Sequence, residues 1–347
     1  MDIKHLLKDN EALAVKAGEI RARRSWLSRI LKNWLHNGDG EAECHAQMLG
    51  NQNQMIDILN SELSKRTYGA ADQAAVDSRL FSDLYVVHSL PKVGGMSIAA
   101  TLIANFKNAT VVHVHCLTDK WLRKWRMALS KYSQPGREAV MQHLYYARKA
   151  AMMLEASTLM CPNTHGRAII CGVREPIAWA LSLYFEGFSY LMGDNYESIT
   201  VEKVADFVIK VLGNEMCDLG PSYLSPERWL TDEFSPAHNF NPLGHDFDIG
   251  TGYRVYETGK TPILMIRQES LSSLPQALSL LLSHPAEFIS PVNENIAEAK
   301  VYSGIYRTIR DRLKFDSAFL HSVYSGAYSR KFYSEAECES FKRRWKS

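Results

Sequence analysis

The amino-acid sequence predicts an α/β protein in which helices flank a parallel β-sheet, with an N-terminal helical extension and a helical C-terminal region. Short runs of apolar and β-branched residues alternate with helical stretches, which is the pattern of strands joined by crossover helices. The 347 residues, 46% of them apolar and 22% charged, are enough to bury a large core. The strand-type runs begin only after the first 75 or so residues, so we predict an extension over 1–75 and an α/β domain over 76–347.

The predicted extension contains an amphipathic helix. Large apolar side chains recur there at helical spacing among arginines and lysines. These apolar residues are Trp26, Leu27, Ile30, Leu31, Trp34 and Leu35. Two interpretations stay open: a helical hairpin that docks on the core or on a second copy of the chain, or a surface for peripheral membrane or partner contact.

Strands and helices alternate through the rest of the chain. Strand-type runs lie at 84–90, 110–117, 167–173, 252–257 and 262–267. Helices are expected over 96–106, 118–131, 137–158, 176–190 and 270–282. Near the end, Ser334 and Glu337 have the spacing of a capping box that starts a final helix. The aromatic side chains around it are expected to pack rather than to bind ligand: Phe332, Tyr333, Phe341 and Trp345.

Composition argues against several classes of protein. A formal net charge of +2 argues against a protein that coats nucleic acid, although it leaves room for a basic pocket. No run approaches the roughly 18 apolar residues of a membrane span, and the charged N-terminus shows no signal peptide. Six cysteines without a CxxC pair indicate reduced thiols rather than a disulfide framework. We therefore expect a soluble, cytoplasmic protein.

The segment after the first strand, SLPKVGGMS (89–97), has the order of a phosphate-binding turn. A helix that follows a glycine-containing loop presents unpaired N–H groups to an anion. Gly94 and Gly95 let the backbone approach the anion, Lys92 adds a mobile positive charge, and Ser97 adds a hydroxyl donor. The lysine precedes the glycines, so this is not a Walker A motif. The alternative is an ordinary tight strand–helix turn with an exposed lysine.

A second candidate site follows the third predicted strand, in the sequence VREP. Arg174 stands at the carboxyl end of this strand, where ligands bind in open α/β sheets, and Pro176 suits the first position of a helix. Ser182 lies about two helical turns farther on. A guanidinium and a hydroxyl at these positions can hold a phosphate. The alternative is a structural ion pair between Arg174 and a carboxylate such as Glu175.

His113 and His115 lie two residues apart on the second predicted strand, so they face the same side of the sheet. Three interpretations are open. A metal site would need a third ligand, which no spacing indicates. The pair could also be two core histidines, or one of them could be a general base. Glu186, one turn beyond Ser182, is the reserve candidate for a base.

The motif PKxGG followed by VREP and a serine resembles the two phosphate-binding motifs of sulfotransferases that use 3′-phosphoadenosine 5′-phosphosulfate (PAPS). The later segments WLTDEF, GYRVY and ILMIRQESL resemble a subgroup of carbohydrate and capsular-polysaccharide sulfotransferases, so the resemblance covers about residues 83–347. It implies a P-loop-like fold, PAPS as co-substrate, no metal, and a hydroxyl acceptor, favouring a carbohydrate.

The resemblance also implies roles for individual residues. The 5′-phosphosulfate is assigned to Pro91, Lys92, Gly94, Gly95, Met96 and Ser97, and the 3′-phosphate to Arg174 and Ser182. Lys92 would neutralise charge on the bridging oxygen. The HxH pattern is similar to the glycosaminoglycan branch, which favours His115 over His113 as the base. Lys300 is either a further donor contact or an exposed helical lysine. Trp179 departs from the family, because many relatives have a second arginine there.

Two rival functions remain. A P-loop-type nucleotide kinase or NTPase predicts a Walker A motif and an acidic Mg²⁺ ligand at the end of a strand, and the sequence shows neither. A non-catalytic nucleotide-binding partner protein would use the N-terminal helices for assembly.

Overall fold

The computed structural model describes residues 83–128, 166–192, 196–214, 225–259, 261–293 and 302–347, together with positions 144, 147, 150, 151 and 154. The predicted extension 1–75, most of the predicted helix 137–158, and Lys300 lie outside these described residues. Among the described residues, no helix combines the length and the apolar character needed to cross a membrane.

Five strands form one sheet in the order β2–β1–β3–β5–β4. Four strands are parallel, and β4 pairs antiparallel with β5 at one edge. The predicted α/β class is therefore confirmed. The strands are Leu84–His88 (β1), Thr110–Val114 (β2), Arg167–Val173 (β3), Tyr253–Tyr256 (β4) and Ile263–Arg267 (β5).

The second strand ends earlier than the sequence predicted. The apolar run continues to residue 117, but β2 ends at Val114. Among the described residues β2 is an edge strand with β1 as its neighbour, and their last register pair is His88 with Val114. Residues 115–117 therefore have no strand to pair with, and they begin the turn that leads to the next helix.

Helices cover both faces of the sheet. The described helices with regular α geometry and at least six residues are Gly95–Asn105 (α1), Asp119–Ala128 (α2), Pro176–Met192 (α3), Val201–Leu212 (α4), Leu274–Leu282 (α5), Ser303–Arg312 (α6), Ser317–Ser325 (α7), Ala327–Phe332 (α8) and Glu335–Trp345 (α9). On one face, α1 and α5 bury their apolar side chains against the strands. On the other face, α3, α4 and the C-terminal helices share the larger core.

Two helical details differ between expectation and structure. The predicted helix over 270–282 is a 3₁₀ segment, Gln268–Ser273, followed by α5. Pro275 explains the difference, because proline is tolerated in the first helical turn and not in the interior. A further helical segment, 226–238, contains five residues in π-helical geometry, Leu230–Phe234. We call 226–238 the π-helical segment.

The predicted start of the last helix is confirmed. Ser334 accepts a hydrogen bond from the Glu337 backbone N–H, and the Glu337 carboxylate accepts one from the Ser334 backbone N–H. Phe332, Tyr333 and Trp345 are buried, and Phe341 packs against the core. Tyr333 does more than pack, because its hydroxyl donates to Glu269 at 3.1 Å.

Candidate functional site

The loop between β1 and α1 has a backbone shape that few residues adopt. Lys92 has φ 68° and Gly94 has φ 85°. A non-glycine residue in this left-handed region is uncommon and persists where surrounding contacts hold it. Gly94 is required twice over, because a Cβ there would also lie 2.5 Å from Leu271 Cδ1. The loop ends at the N-terminus of α1, which no side chain caps and whose first turn has no acidic residue. This end of α1 is therefore suited to an anion.

Two side chains from the β3–α3 region hold this loop by its carbonyl groups. Arg174 Nη1 donates to Lys92 O at 2.9 Å, across 82 residues of sequence. Trp179 Nε1 donates to Pro91 O, also at 2.9 Å. The two motifs found in the sequence thus meet in space. Trp179 is fully buried and fixes the loop through its indole N–H.

Two buried polar atoms beside the loop have no acceptor or donor within the part of the chain that the structure describes. They are Arg174 Nε and Ser89 Oγ. A buried polar group without a partner costs roughly 1–3 kcal/mol, so such atoms are rare unless a ligand or water completes them. A guanidinium with an unused N–H next to a helix N-terminus fits a phosphate oxygen. Ser89 was quoted in the sequence motif, but no role was predicted for it.

Glu175 does not neutralise Arg174. Its two carboxylate oxygens accept from the backbone N–H groups of Ile177 and Ala178, both at 2.8 Å, so it caps the start of α3. Burial raises the pKa of this carboxyl group, against the lowering effect of these bonds and of the Tyr324 hydroxyl, which also donates to it. The alternative of an Arg174–Glu175 ion pair is therefore wrong, and the positive charge of Arg174 remains available to a ligand.

One face of α3 is turned toward the loop. Lys92 Nζ lies 3.3 Å from Glu186 Oε2, and the lysine side chain is only 9% exposed. Trp179 and Glu186 both reach the loop from α3, seven positions apart. Ser182 lies between them at helical spacing, so it shares this face, and it is half-buried. The structure thus brings the predicted Lys92, Ser182 and Glu186 to one place.

The two predicted histidines lie side by side near the same loop. Their ring centroids are 4.8 Å apart, with the planes at 86°. His115 Nδ1 is 2.7 Å from Ser89 O. Since a carbonyl oxygen can only accept, Nδ1 carries the proton, and in neutral His115 the lone pair lies on Nε2. A general base that accepts a proton on Nε2 needs this tautomer. Gly95 has a packing role, because a Cβ there would lie 2.4 Å from His113 Nε2.

Next to the turn that follows His115 lies a group of buried and half-buried polar side chains that the sequence did not predict: His88, Thr118, Glu233 and His238, here called the Glu233 cluster. Glu233 accepts hydrogen bonds from the backbone N–H groups of Leu117 and Thr118 and from the Thr118 hydroxyl. His88 Nε2 lies 3.3 Å from Glu233 Oε1, and His88 Nδ1 lies 2.8 Å from His238 Nε2. These contacts anchor the turn that follows His115.

Burial and hydrogen bonding act in opposite directions on the Glu233 cluster. Burial alone would raise the pKa of Glu233, but the hydrogen bond and charge of His88 and the bonds from Thr118 and Leu117 hold it below its usual value. Burial, helped by the charge of His88, lowers the pKa of His238 well below the usual range. Glu233 is therefore ionised and His238 neutral at pH 7.

The π-helical segment contributes two members of this cluster, Glu233 and His238. Besides Glu233 it contributes Trp229, whose indole Nε1 donates to His115 O at 3.1 Å. Both residues belong to the WLTDEF segment, which was noted in the sequence only as part of a resemblance. The sequence shows a glutamate at helical spacing from a tryptophan, but it does not indicate which groups would contact that glutamate.

The remaining predicted residues are placed as follows. Met96 and Ser97 lie in the first turn of α1, with Met96 exposed and Ser97 half-buried. Lys300 is outside the described residues. Within the described ranges no group of three or more His, Cys, Asp or Glu side chains is arranged to hold a metal ion.

Comparison with models of protein families and with curated proteins found no match for this chain.

Proposed function

We propose that this chain is a sulfotransferase with a P-loop-like fold that transfers the sulfuryl group of PAPS to an acceptor hydroxyl. The observation that carries the proposal is the contact between Arg174 and the backbone of Lys92. It joins the two phosphate-binding motifs at the uncapped N-terminus of α1. A ligand with phosphates at both its 5′ and its 3′ positions fits two such motifs held together.

The residues present fit this donor. The 5′-phosphosulfate is assigned to the loop 91–97, where α1 begins. The 3′-phosphate is assigned to Arg174 and Ser182, and Arg174 Nε is the buried N–H that lacks an acceptor among the described residues. Charge-assisted bonds of this kind are about twice as strong as neutral ones. The partly buried setting strengthens them further.

The mechanism consists mostly of positioning and charge stabilisation, by analogy with phosphoryl transfer. When bound, the donor supplies the sulfuryl group and a phosphate as leaving group. Lys92, held by Glu186, neutralises the charge that develops on the bridging oxygen. His115 accepts the acceptor hydroxyl's proton on Nε2 while Nδ1–H stays bonded to Ser89 O. Glu186 and His113 are the alternative bases.

We propose a carbohydrate hydroxyl as the acceptor and a reducing compartment as the setting. The resemblance to carbohydrate sulfotransferases favours the former. Cys116, Cys171 and Cys338, which are buried free thiols, favour the latter.

The alternative function of a nucleotide kinase requires an acidic residue at the end of a strand as a Mg²⁺ ligand. Glu269, which follows β5, is in such a position. Its carboxylate already accepts from the Glu175 backbone N–H at 2.9 Å and from the Tyr333 hydroxyl. A role in holding these two groups accounts for its position.

Calorimetric titration with adenosine 3′,5′-bisphosphate, the desulfated donor product, tests the proposal, with adenosine 5′-monophosphate as control ligand. We expect the bisphosphate to bind wild-type protein much more tightly than the monophosphate. Arg174→Ala should weaken bisphosphate binding by about 100-fold, because a charged bond to phosphate is lost. Monophosphate binding should fall much less, by about threefold to tenfold, because that ligand loses only the support that Arg174 gives to the loop through Lys92 O. Folded wild-type protein that binds neither ligand would eliminate the sulfotransferase proposal.

A further inference from the structure

The hydroxyl of Tyr328 holds both backbone polar groups of Arg174. It accepts a hydrogen bond from Arg174 N at 3.0 Å and donates one to Arg174 O at 2.9 Å. The two residues are 154 positions apart in the sequence. A single side chain from the C-terminal helices therefore fixes the peptide groups on either side of the Arg174 Cα.

Arg174 needs such a support because the sheet ends just before it. The last register pair between β3 and β5 is Val173 with Arg267, so Arg174 has no strand neighbour for its backbone. Buried backbone groups must find another partner. With Tyr328 on the backbone and Lys92 O on Nη1, Arg174 is held at three points. These contacts set the direction of the remaining guanidinium N–H groups.

Tyr328 is itself firmly placed. It is 4% exposed, and its ring meets Phe332 edge-on with centroids 5.0 Å apart. Its backbone N–H donates to Glu227 Oε2 at 3.1 Å. Burial raises the pKa of the Tyr328 phenol far above its ordinary value, so the hydroxyl keeps the proton that it donates to Arg174 O.

We infer that Tyr328 is a positioning residue that aims the Arg174 guanidinium at the 3′-phosphate of the donor. The inference rests on the proposed function, since it concerns the same donor site. Tyr328 touches the backbone of Arg174 and acts on the ligand only through it. The expected consequence is selective: loss of the hydroxyl weakens recognition of the 3′-phosphate and leaves the rest of the nucleotide bound as before.

The test compares two ligands on three proteins. The affinities for adenosine 3′,5′-bisphosphate and adenosine 5′-monophosphate are measured by calorimetry on wild type, Tyr328→Phe and Tyr333→Phe. The ratio of the two affinities isolates the 3′-phosphate, so a general loss of stability does not change it. Tyr333→Phe is the matched control, because it removes an equally buried hydroxyl whose partner is Glu269 rather than Arg174.

We expect the ratio to fall by about tenfold in Tyr328→Phe, since two partly buried backbone groups of Arg174 lose their partner. In Tyr333→Phe it should stay within about twofold of wild type. A wild-type preference for the bisphosphate that persists in Tyr328→Phe overturns the role of Tyr328 alone. A wild type without that preference removes the proposed donor site, and this inference with it.

Glu227→Ala provides a second variant should Tyr328→Phe fail to fold. It removes the acceptor of the Tyr328 backbone N–H from a half-buried position. The hydroxyl of Tyr328 remains but is less firmly placed, so we expect a fall in the ratio of about threefold. An unchanged ratio in folded Glu227→Ala counts against the inference.

Discussion

Two polar regions lie at the carboxyl ends of neighbouring parallel strands and differ in whether protein groups satisfy their polar atoms. In the proposed donor site, Lys92 and Gly94 take left-handed backbone angles, α1 has no side-chain cap, and Arg174 Nε lacks an acceptor among the described residues. In the Glu233 cluster, Glu233 is fully buried and both of its oxygens accept hydrogen bonds from the protein. The first region has hydrogen-bond donors that a ligand could use, whereas the polar groups of the second region are bonded to one another and to the backbone.

The two regions indicate that buried charged groups can have different roles, one in stability and the other in ligand binding. A buried carboxylate that receives several hydrogen bonds contributes to stability, and its removal leaves buried donors unpaired. By contrast, we expect the unused N–H of Arg174 to contribute to ligand binding. The Glu233 cluster should therefore control folding, and Arg174 should control the ligand.

Substitution of Glu233 gives the largest expected effect, and it tests whether the Glu233 cluster acts on stability rather than on ligand binding. Glu233→Ala should lower the free energy of unfolding, measured with urea, by about 3–5 kcal/mol, because two backbone N–H groups, a hydroxyl and His88 lose their partner. Glu233→Gln keeps an acceptor oxygen and should cost less. Bisphosphate affinity of the folded protein should change by less than about threefold, the reverse of Arg174→Ala. A variant that loses affinity but keeps its stability would show that the cluster belongs to the donor site.

The pH dependence of the free energy of unfolding gives a smaller effect, which we expect to come from the Glu233 cluster. The pKa of His238 is lowered in the folded state from an ordinary value of 6.5, so below pH 6.5 the unfolded chain binds a proton that the folded chain does not. Stability from this group is present above pH 6.5 and falls as the pH drops, by up to about 1.4 kcal/mol per pH unit. Glu233, with its pKa lowered from 4.5, adds a loss only below pH 4.5.

His238→Gln is the control for this titration. Its amide can still form a hydrogen bond with His88 Nδ1, through its oxygen or its NH₂ group, but it does not titrate. We expect its unfolding free energy, measured with urea from pH 7 to pH 5, to fall less steeply than that of wild type. Parallel curves would mean that His238 is not held neutral by burial.

Features set by neighbouring residues were predictable from the sequence. The strand Arg167–Val173 has the predicted bounds, because an apolar run is followed by a proline suited to a helix start. The Ser334–Glu337 capping box involves residues three positions apart, and it is present. Arg174 and Lys92 were identified because each follows a strand, and parallel strands end at one edge of a sheet.

Features set by distant partners were not predictable. The end of β2 depends on where β1 stops. Glu233 depends on backbone groups 115 and 116 positions away, and Tyr328 on an arginine 154 positions away. Side chains of this kind satisfy backbone groups that the sheet leaves unpaired, and nothing local in the sequence indicates which groups those are. The sequence analysis therefore assigned no role to Tyr328 and no contact to Trp179.

Trp179→Phe is the smallest effect we expect, and it tests whether the donor loop is held from α3. Phenylalanine keeps much of the buried ring but removes the N–H that donates to Pro91 O. Loss of one neutral hydrogen bond costs about 0.5–1.5 kcal/mol, so bisphosphate affinity should fall roughly threefold to tenfold. Because the loop carries Lys92 and leads into α1, monophosphate affinity should fall by the same factor, unlike in Tyr328→Phe. Should only the bisphosphate be affected, Trp179 would act on the 3′-phosphate rather than on the loop. It would then take over the place of the arginine found there in many sulfotransferases.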